Sequence, residues 1–170
     1  MFIVYATLVL TIAGYLVIRR LFWVADVHGE SMMPAFYPGD KLLVLRVWPR
    51  KMLVRGIPVI VDHSLQQRIK LGLNSDTAYL VKRVVGLPED CLWINNEGVS
   101  LLGDGEMSNP TRDEDGKRVR LSCSEVFVVG DSPTGSLDSR TLGPLQMDSI
   151  KGLVVTRLHS PKRASGLEQR

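Results

Sequence analysis

The chain has 170 residues, 45% apolar and 23% charged, which is the composition of one folded domain with room for a small appendage and not of a disordered chain. Its net charge is only +3, its basic pairs Arg19–Arg20 and Lys162–Arg163 lie near the ends, and 6% of residues are aromatic; together these exclude a nucleic-acid binder with a basic, base-stacking surface. The two cysteines, Cys91 and Cys123, match no zinc spacing, no cluster of His, Cys and carboxylates is spaced for a metal, and no Gly-rich phosphate loop precedes a helix, so neither metal nor cofactor is expected. The cysteines read either as one disulfide, if this part of the chain is extracytoplasmic, or as two small buried thiols.

In chain order, the first element is the uncharged run "FIVYATLVLTIAGYLVI", residues 2–18. As a helix it would be about 25 Å long, slightly less than the hydrocarbon core of a bilayer. It is apolar on all faces, and Arg19 and Arg20 end it by snorkelling to the headgroups. Residues 1–20 are therefore expected to be a membrane anchor; a cleavable signal peptide and a buried core helix are the other readings. By the positive-inside rule Arg19 and Arg20 would place the rest of the chain in the cytoplasm.

After residue 20 the pattern becomes short Val-, Ile- and Leu-rich runs bounded by Gly, Pro, Asp or Asn. Strands are predicted at 21–27, 41–47, 57–62, 79–86, 91–95, 99–102, 125–131 and 150–158. "YPGD" (37–40) and "LPED" (87–90) are turns with proline in the favoured place. Residues 63–77 read as a loop or hairpin end, 103–118 as a charged surface excursion, and 160–170 as a disordered tail. The expectation is a mostly-β domain over 21–159, of eight to ten strands, with about 92–124 as a small β excursion.

Two residues carry candidate chemistry. Ser31 stands in "GESMMP" (29–34). His28, His63 and His159 read as solvated loop histidines with no orienting partner. A serine can instead be activated by a lysine, but that lysine must be neutral, so its pKa must fall well below the usual value of about 10.4. Burial among apolar groups does this by penalising the ammonium. Lys82, in "AYLVKRVVGLPED", shares a strand face with Leu80 and Val84 and so has apolar company; the alternative is an edge-strand lysine that blocks aggregation.

Together, "GESMMP", "VRGIPVIVD" (54–62), "LVKRVVGLPED" (80–90) and "GDSPTGSLDSRTLGP" (130–144) resemble, in order, the four boxes of the type I signal peptidase family of Ser-Lys endopeptidases. The resemblance covers about residues 20–158 and the preceding anchor. It implies a coiled antiparallel β-sheet catalytic domain behind one transmembrane helix. It makes Ser31 the nucleophile, Lys82 the general base and Ser136 the residue that orients the lysine. Met32 and Pro34 match positions beside the nucleophile. Gly130, Asp131, Arg83, Asp138 and Arg140 are supports, with Asp138 pairing with Arg83 or Arg140. The oxyanion would rest on the Ser31 N–H. Gly29 stands where some members carry an extra serine donor, which this chain would lack. Ala35, Ile57–Pro58, Glu89, Ser132 and Gly135 depart from the family pattern, and Glu89 replaces a turn glycine.

The partners so implied are preprotein signal peptides, cut after a small-x-small site, and membrane lipid, with "LFWV" (21–24) dipping into the interface. The location implied is the cytoplasmic (inner) membrane, single-pass, with the catalytic domain outside the cytoplasm, against the bias of Arg19 and Arg20. A specialised peptidase of the same chemistry, such as one maturing a conjugative pilin, and a non-catalytic anchored β-domain that binds partners are the alternative readings.

Overall fold

The computed structural model describes residues 2–62, 79–95, 98–102, 116–132 and 136–160; the polar stretch at 63–77 and most of the excursion at 103–118 lie outside the described residues. The chain begins with helix α1, Phe2–Leu21. Its 20 residues give about 30 Å, enough to cross a bilayer by length and composition. The helix runs three residues past the apolar stretch, so Arg19 and Arg20 stand in its last turn. None of its residues is buried, and the Thr7 and Thr11 hydroxyls donate to the Val4 and Leu8 carbonyls. An uncovered apolar surface with its polar groups satisfied internally suits lipid better than water.

Ten strands come after the helix among the described residues: β1 Phe22–Asp26, β2 Lys41–Leu45, β3 Pro58–Asp62, β4 Tyr79–Gly86, β5 Cys91–Asn95, β6 Gly98–Leu101, β7 Lys117–Arg120, β8 Glu125–Val129, β9 Leu145–Gln146 and β10 Ile150–His159. Seven form one sheet in the order β1-β2-β10-β3-β4-β8-β9; β6-β5-β7 form a second, smaller sheet. Every pairing is antiparallel. All the predicted strands are present. β7 corrects the reading of 103–118 as loop: residues 117 and 118 lie in a strand paired to β5. Its sequence, "KRVR", hid it, because one apolar residue among three cations gives almost no hydrophobic signal. β9, two residues long, also went unread.

Period-two alternation sorts the side chains onto two faces. Val59, Val61 and Val84, with Leu80 against them, belong to one core that also holds Leu53, Val126, Val128, Leu145 and Leu153. Their neighbours Ile60 and Val81 point the other way, into a cluster with Val27, Leu42, Val44 and Val154. Val85 packs over Leu92, Leu121 and Phe127, which joins the small sheet to the large one. Each such aliphatic burial contributes roughly 1.5–3 kcal/mol.

The large sheet is curled. β1 and β4 are four places apart in the order, about 19 Å in a flat sheet, yet the rings of Trp23 on β1 and Tyr79 on β4 lie 5.7 Å apart. Three register shifts in the long β10 supply bends, since an extra residue on one strand increases local twist. The curl carries the loop after β1 to the middle of β4.

Candidate active site

Ser31 sits in the loop between β1 and β2. The neck of this loop is closed by Val27 N–H to the Asp40 carbonyl and Gly39 N–H to the Val27 carbonyl, both 2.9 Å. On the C-terminal side of this neck the "YPGD" turn is locked by the buried Asp40, whose carboxylate accepts from the Tyr37 N–H at 3.0 Å and from Arg157 of β10 at 3.2 Å. Arg157 also reaches the Ala35 carbonyl at 3.4 Å. Between these points Met33 N–H donates to Glu30 and Phe36 N–H to Met32, forming tight turns around the buried Met32. Pro34 is exposed. Gly29, at φ +82°, takes a left-handed conformation that a side chain would strain.

Lys82 is central to β4, opposite Val59, and only 1% exposed. Its Nζ lies 3.0 Å from Ser31 Oγ and 2.9 Å from Ser136 Oγ. Burial pushes the ammonium down from 10.5 to about 8; Asp138 and Asp131 pull the other way and Arg140 adds to the depression.

Asp138, also 1% exposed, caps the short helix α2, Ser139–Leu142. Its carboxylate accepts from the Gly130 N–H at 2.9 Å, the Arg140 N–H at 3.0 Å and two guanidinium nitrogens of Arg140 at 3.0 and 2.7 Å. Burial opposes its charge, but Arg140, the Gly130 N–H and the Ser136 hydroxyl outweigh that and hold the carboxyl below its ordinary value. Since Ser136 gives its proton to Asp138, its oxygen is left to accept from Lys82. Of the two partners open to Asp138, the structure chooses Arg140. Arg83 goes elsewhere: it makes a two-pronged pair with Asp131, at 2.7 and 2.5 Å, and donates to the Gly56 carbonyl at 2.6 Å.

Gly130 lets the three segments meet. A methyl group there would overlap Ser136 Oγ and stand 2.6 Å from the Ser31 carbonyl. That carbonyl in turn accepts from the Ser132 N–H at 3.0 Å, which ties the Ser31 turn to the end of β8. Among the described residues the Ser31 N–H has no acceptor.

The structure thus brings Ser31, Lys82, Ser136, Gly130, Asp138 and Arg140 into one cluster, with Arg83 and Asp131 beside it. His28 is exposed, with its Nδ1 3.1 Å from the Asp26 carbonyl, and His159 is exposed on β10; His63 is outside the described residues. Both described cysteines are free, Cys91 half-buried and Cys123 exposed, so neither the disulfide nor a fully buried pair is found. Sequence reasoning missed Asp40 and Arg157. "YPGD" signalled a turn but not that its Asp would be buried, and an arginine 117 residues further on carries no signal of pairing with it. It also missed Arg55, which clamps Asp90 of the "LPED" turn at 3.0 and 2.5 Å.

A serine hydroxyl, a buried amine and a second hydroxyl within one hydrogen bond of each other on a β scaffold are the parts of a serine hydrolase. Comparison with known proteins narrows the class. The model of the family "Signal peptidase, peptidase S26" matches residues 1–159. The chain is 30% identical to signal peptidase I V of Bacillus subtilis over 75% of this chain and 80% of that one. It is 30% identical to signal peptidase I of Bacillus caldolyticus over 75% and 74%, respectively. It is 29% identical to the mitochondrial ATP-independent inner membrane protease subunit 1b of Arabidopsis thaliana over 80% and 69%. The chain belongs to the signal peptidase family, peptidase S26, and is a hydrolase of the kind that removes signal peptides.

Proposed function

We propose that the chain is a membrane-anchored endopeptidase that removes signal peptides with a Ser31–Lys82 dyad. The observation that carries this reading is the buried Lys82 Nζ, 3.0 Å from Ser31 Oγ and depressed to about 8, because a neutral amine at that distance can act as a general base. Ser136 orients it: with the Ser136 hydroxyl turned to Asp138, one N–H of the amine is taken by the Ser136 oxygen and the lone pair is free for Ser31.

The steps derive from these positions. Lys82 takes the Ser31 proton as Oγ attacks the scissile carbonyl. The negative charge that forms on the carbonyl oxygen is met by the Ser31 N–H. Gly29 offers no side-chain donor, so the hole relies on backbone; each such donor is worth a few kcal/mol. The Lys82 ammonium then gives its proton to the leaving amine, and the acyl group stays on Ser31. Water, deprotonated by Lys82, releases it. The substrate is an extended peptide with small residues before the cut, carried on a preprotein held in the membrane, and the domain works outside the cytoplasm.

Ser31→Ala and Lys82→Ala are each expected to abolish cleavage of a purified preprotein while circular dichroism shows the domain still folded. Cleavage retained in either variant would sink the dyad.

A further inference from the structure

The segment from Arg46 to Ile57 links the end of β2 to the start of β3. Its first residue is fastened to the end of the anchor, for the Arg46 N–H donates to the Leu21 carbonyl at 2.7 Å. Strand register puts its other end at the same level: Phe22 pairs with Leu45, Leu45 with Leu153, and Leu153 with Val59. Both ends of the loop therefore stand where α1 meets the domain.

Its side chains are divided in an unusual way. Leu53 is buried and Trp48 packs on the core, which holds the loop in place. Val47, Met52 and Val54 point outward, 65%, 41% and 51% exposed. Interspersed with and flanking them are the exposed cations Arg46, Arg50 and Lys51, and the sequence has no Asp or Glu from Lys41 to Val61. Arg55 does not belong to this set, since Asp90 takes its charge. Arg19 and Arg20 of the helix end add two more exposed cations at the same level, and Arg46 lies over the Trp23 ring at 5.3 Å.

In water this arrangement is unfavourable twice over: apolar side chains are hydrated, and like charges share a segment that carries no acid of its own. At a bilayer surface both terms reverse, but the charge term does so only if the lipid is anionic. We infer that loop 46–54, with Arg19 and Arg20, is a second membrane contact of the domain that binds anionic phospholipid. It rests on α1 spanning the bilayer as proposed above. The contact would fix the catalytic domain against the surface at a height that the single helix alone does not set.

The test uses the full chain in vesicles. A nitroxide is placed at Met52→Cys in a Cys91→Ser, Cys123→Ser background. Its collision rate with a water-soluble relaxant is read in phosphatidylcholine and in phosphatidylcholine containing phosphatidylglycerol. The expected result is a several-fold loss of accessibility with phosphatidylglycerol, reversed by high salt and absent in Arg50→Gln/Lys51→Gln. Equal exposure in the two lipids, burial in both, or no effect of the double substitution would overturn the assignment. Co-flotation with vesicles in carbonate is read on the same samples. If the protein fails to float, the anchor itself falls and the lipid contact with it. If it floats while the label stays exposed, only the contact falls.

Discussion

Lys82 is a charged residue type in a position otherwise filled by valines, and its chemistry stems from that mismatch. With the amine titrating near 8, the active neutral fraction falls about tenfold per pH unit below that value. The rate of preprotein cleavage is thus expected to climb with pH and level off above about 8; a profile flat from pH 8 down to 6 would rule out Lys82 as the base. The same depression costs stability. A lysine whose folded pKa lies below its unfolded one leaves the unfolded chain holding more protons between about 8 and 10.5, so stability rises with pH through that window, and the full penalty is present below it. The drop from 10.5 to about 8 corresponds to roughly 3 kcal/mol. Lys82→Met is therefore expected to abolish cleavage yet raise the unfolding free energy read from urea denaturation at pH 7 by up to about 3 kcal/mol, with the gain fading as pH approaches 10.5. Gly130 is the complementary case. Gly130→Ala forces Ser136 or the Ser31 carbonyl away, and a displacement near 1 Å at such a site costs roughly 100-fold in rate. Single-turnover kinetics on the folded variant would measure that loss.

At the scale of elements, legibility tracked burial. β4 and β5 were readable to the residue because each is a mainly apolar run closed by a turn-forming residue, Gly86 for β4 and Asn95 for β5. β7 and β9 were not, because pairing with a neighbour creates them and little apolar surface marks them. The turn after β4 shows a local rule being broken and then supported. Glu89 sits at φ +71°, in the left-handed region where a side chain costs about 1 kcal/mol or more. Asp90 holds the turn by accepting from the Leu87 N–H at 2.7 Å and from Arg55. Glu89→Gly should relieve that strain, offset in part by the greater freedom of the unfolded chain, for a net gain of about 0.5 kcal/mol. A shift of the denaturation midpoint at constant slope, with cleavage unchanged, is the expected outcome.

At the scale of the whole molecule, one uncovered helix and a curled sheet set where the chemistry happens. The site lies in the domain on the C-terminal side of the helix, so the side of the membrane occupied by that domain decides what can be cut. With the domain outside the cytoplasm, protease added to intact bacterial spheroplasts expressing the full chain should digest it; full protection until lysis would place it inside, as Arg19 and Arg20 alone would suggest. The sequence by itself determined the N-terminal apolar helix, eight of the ten described strands and which side chains gather around Lys82, because alternation, turn residues and the four boxes are local or ordered signals that do not depend on folding. Tertiary structure decided the partners. Asp138 took Arg140, Arg83 took Asp131, and Asp40 took Arg157 across 117 residues. It also decided the protonation of Lys82. Charge pairing and desolvation depend on which surfaces meet when the sheet curls, and no pattern along the chain encodes that distance.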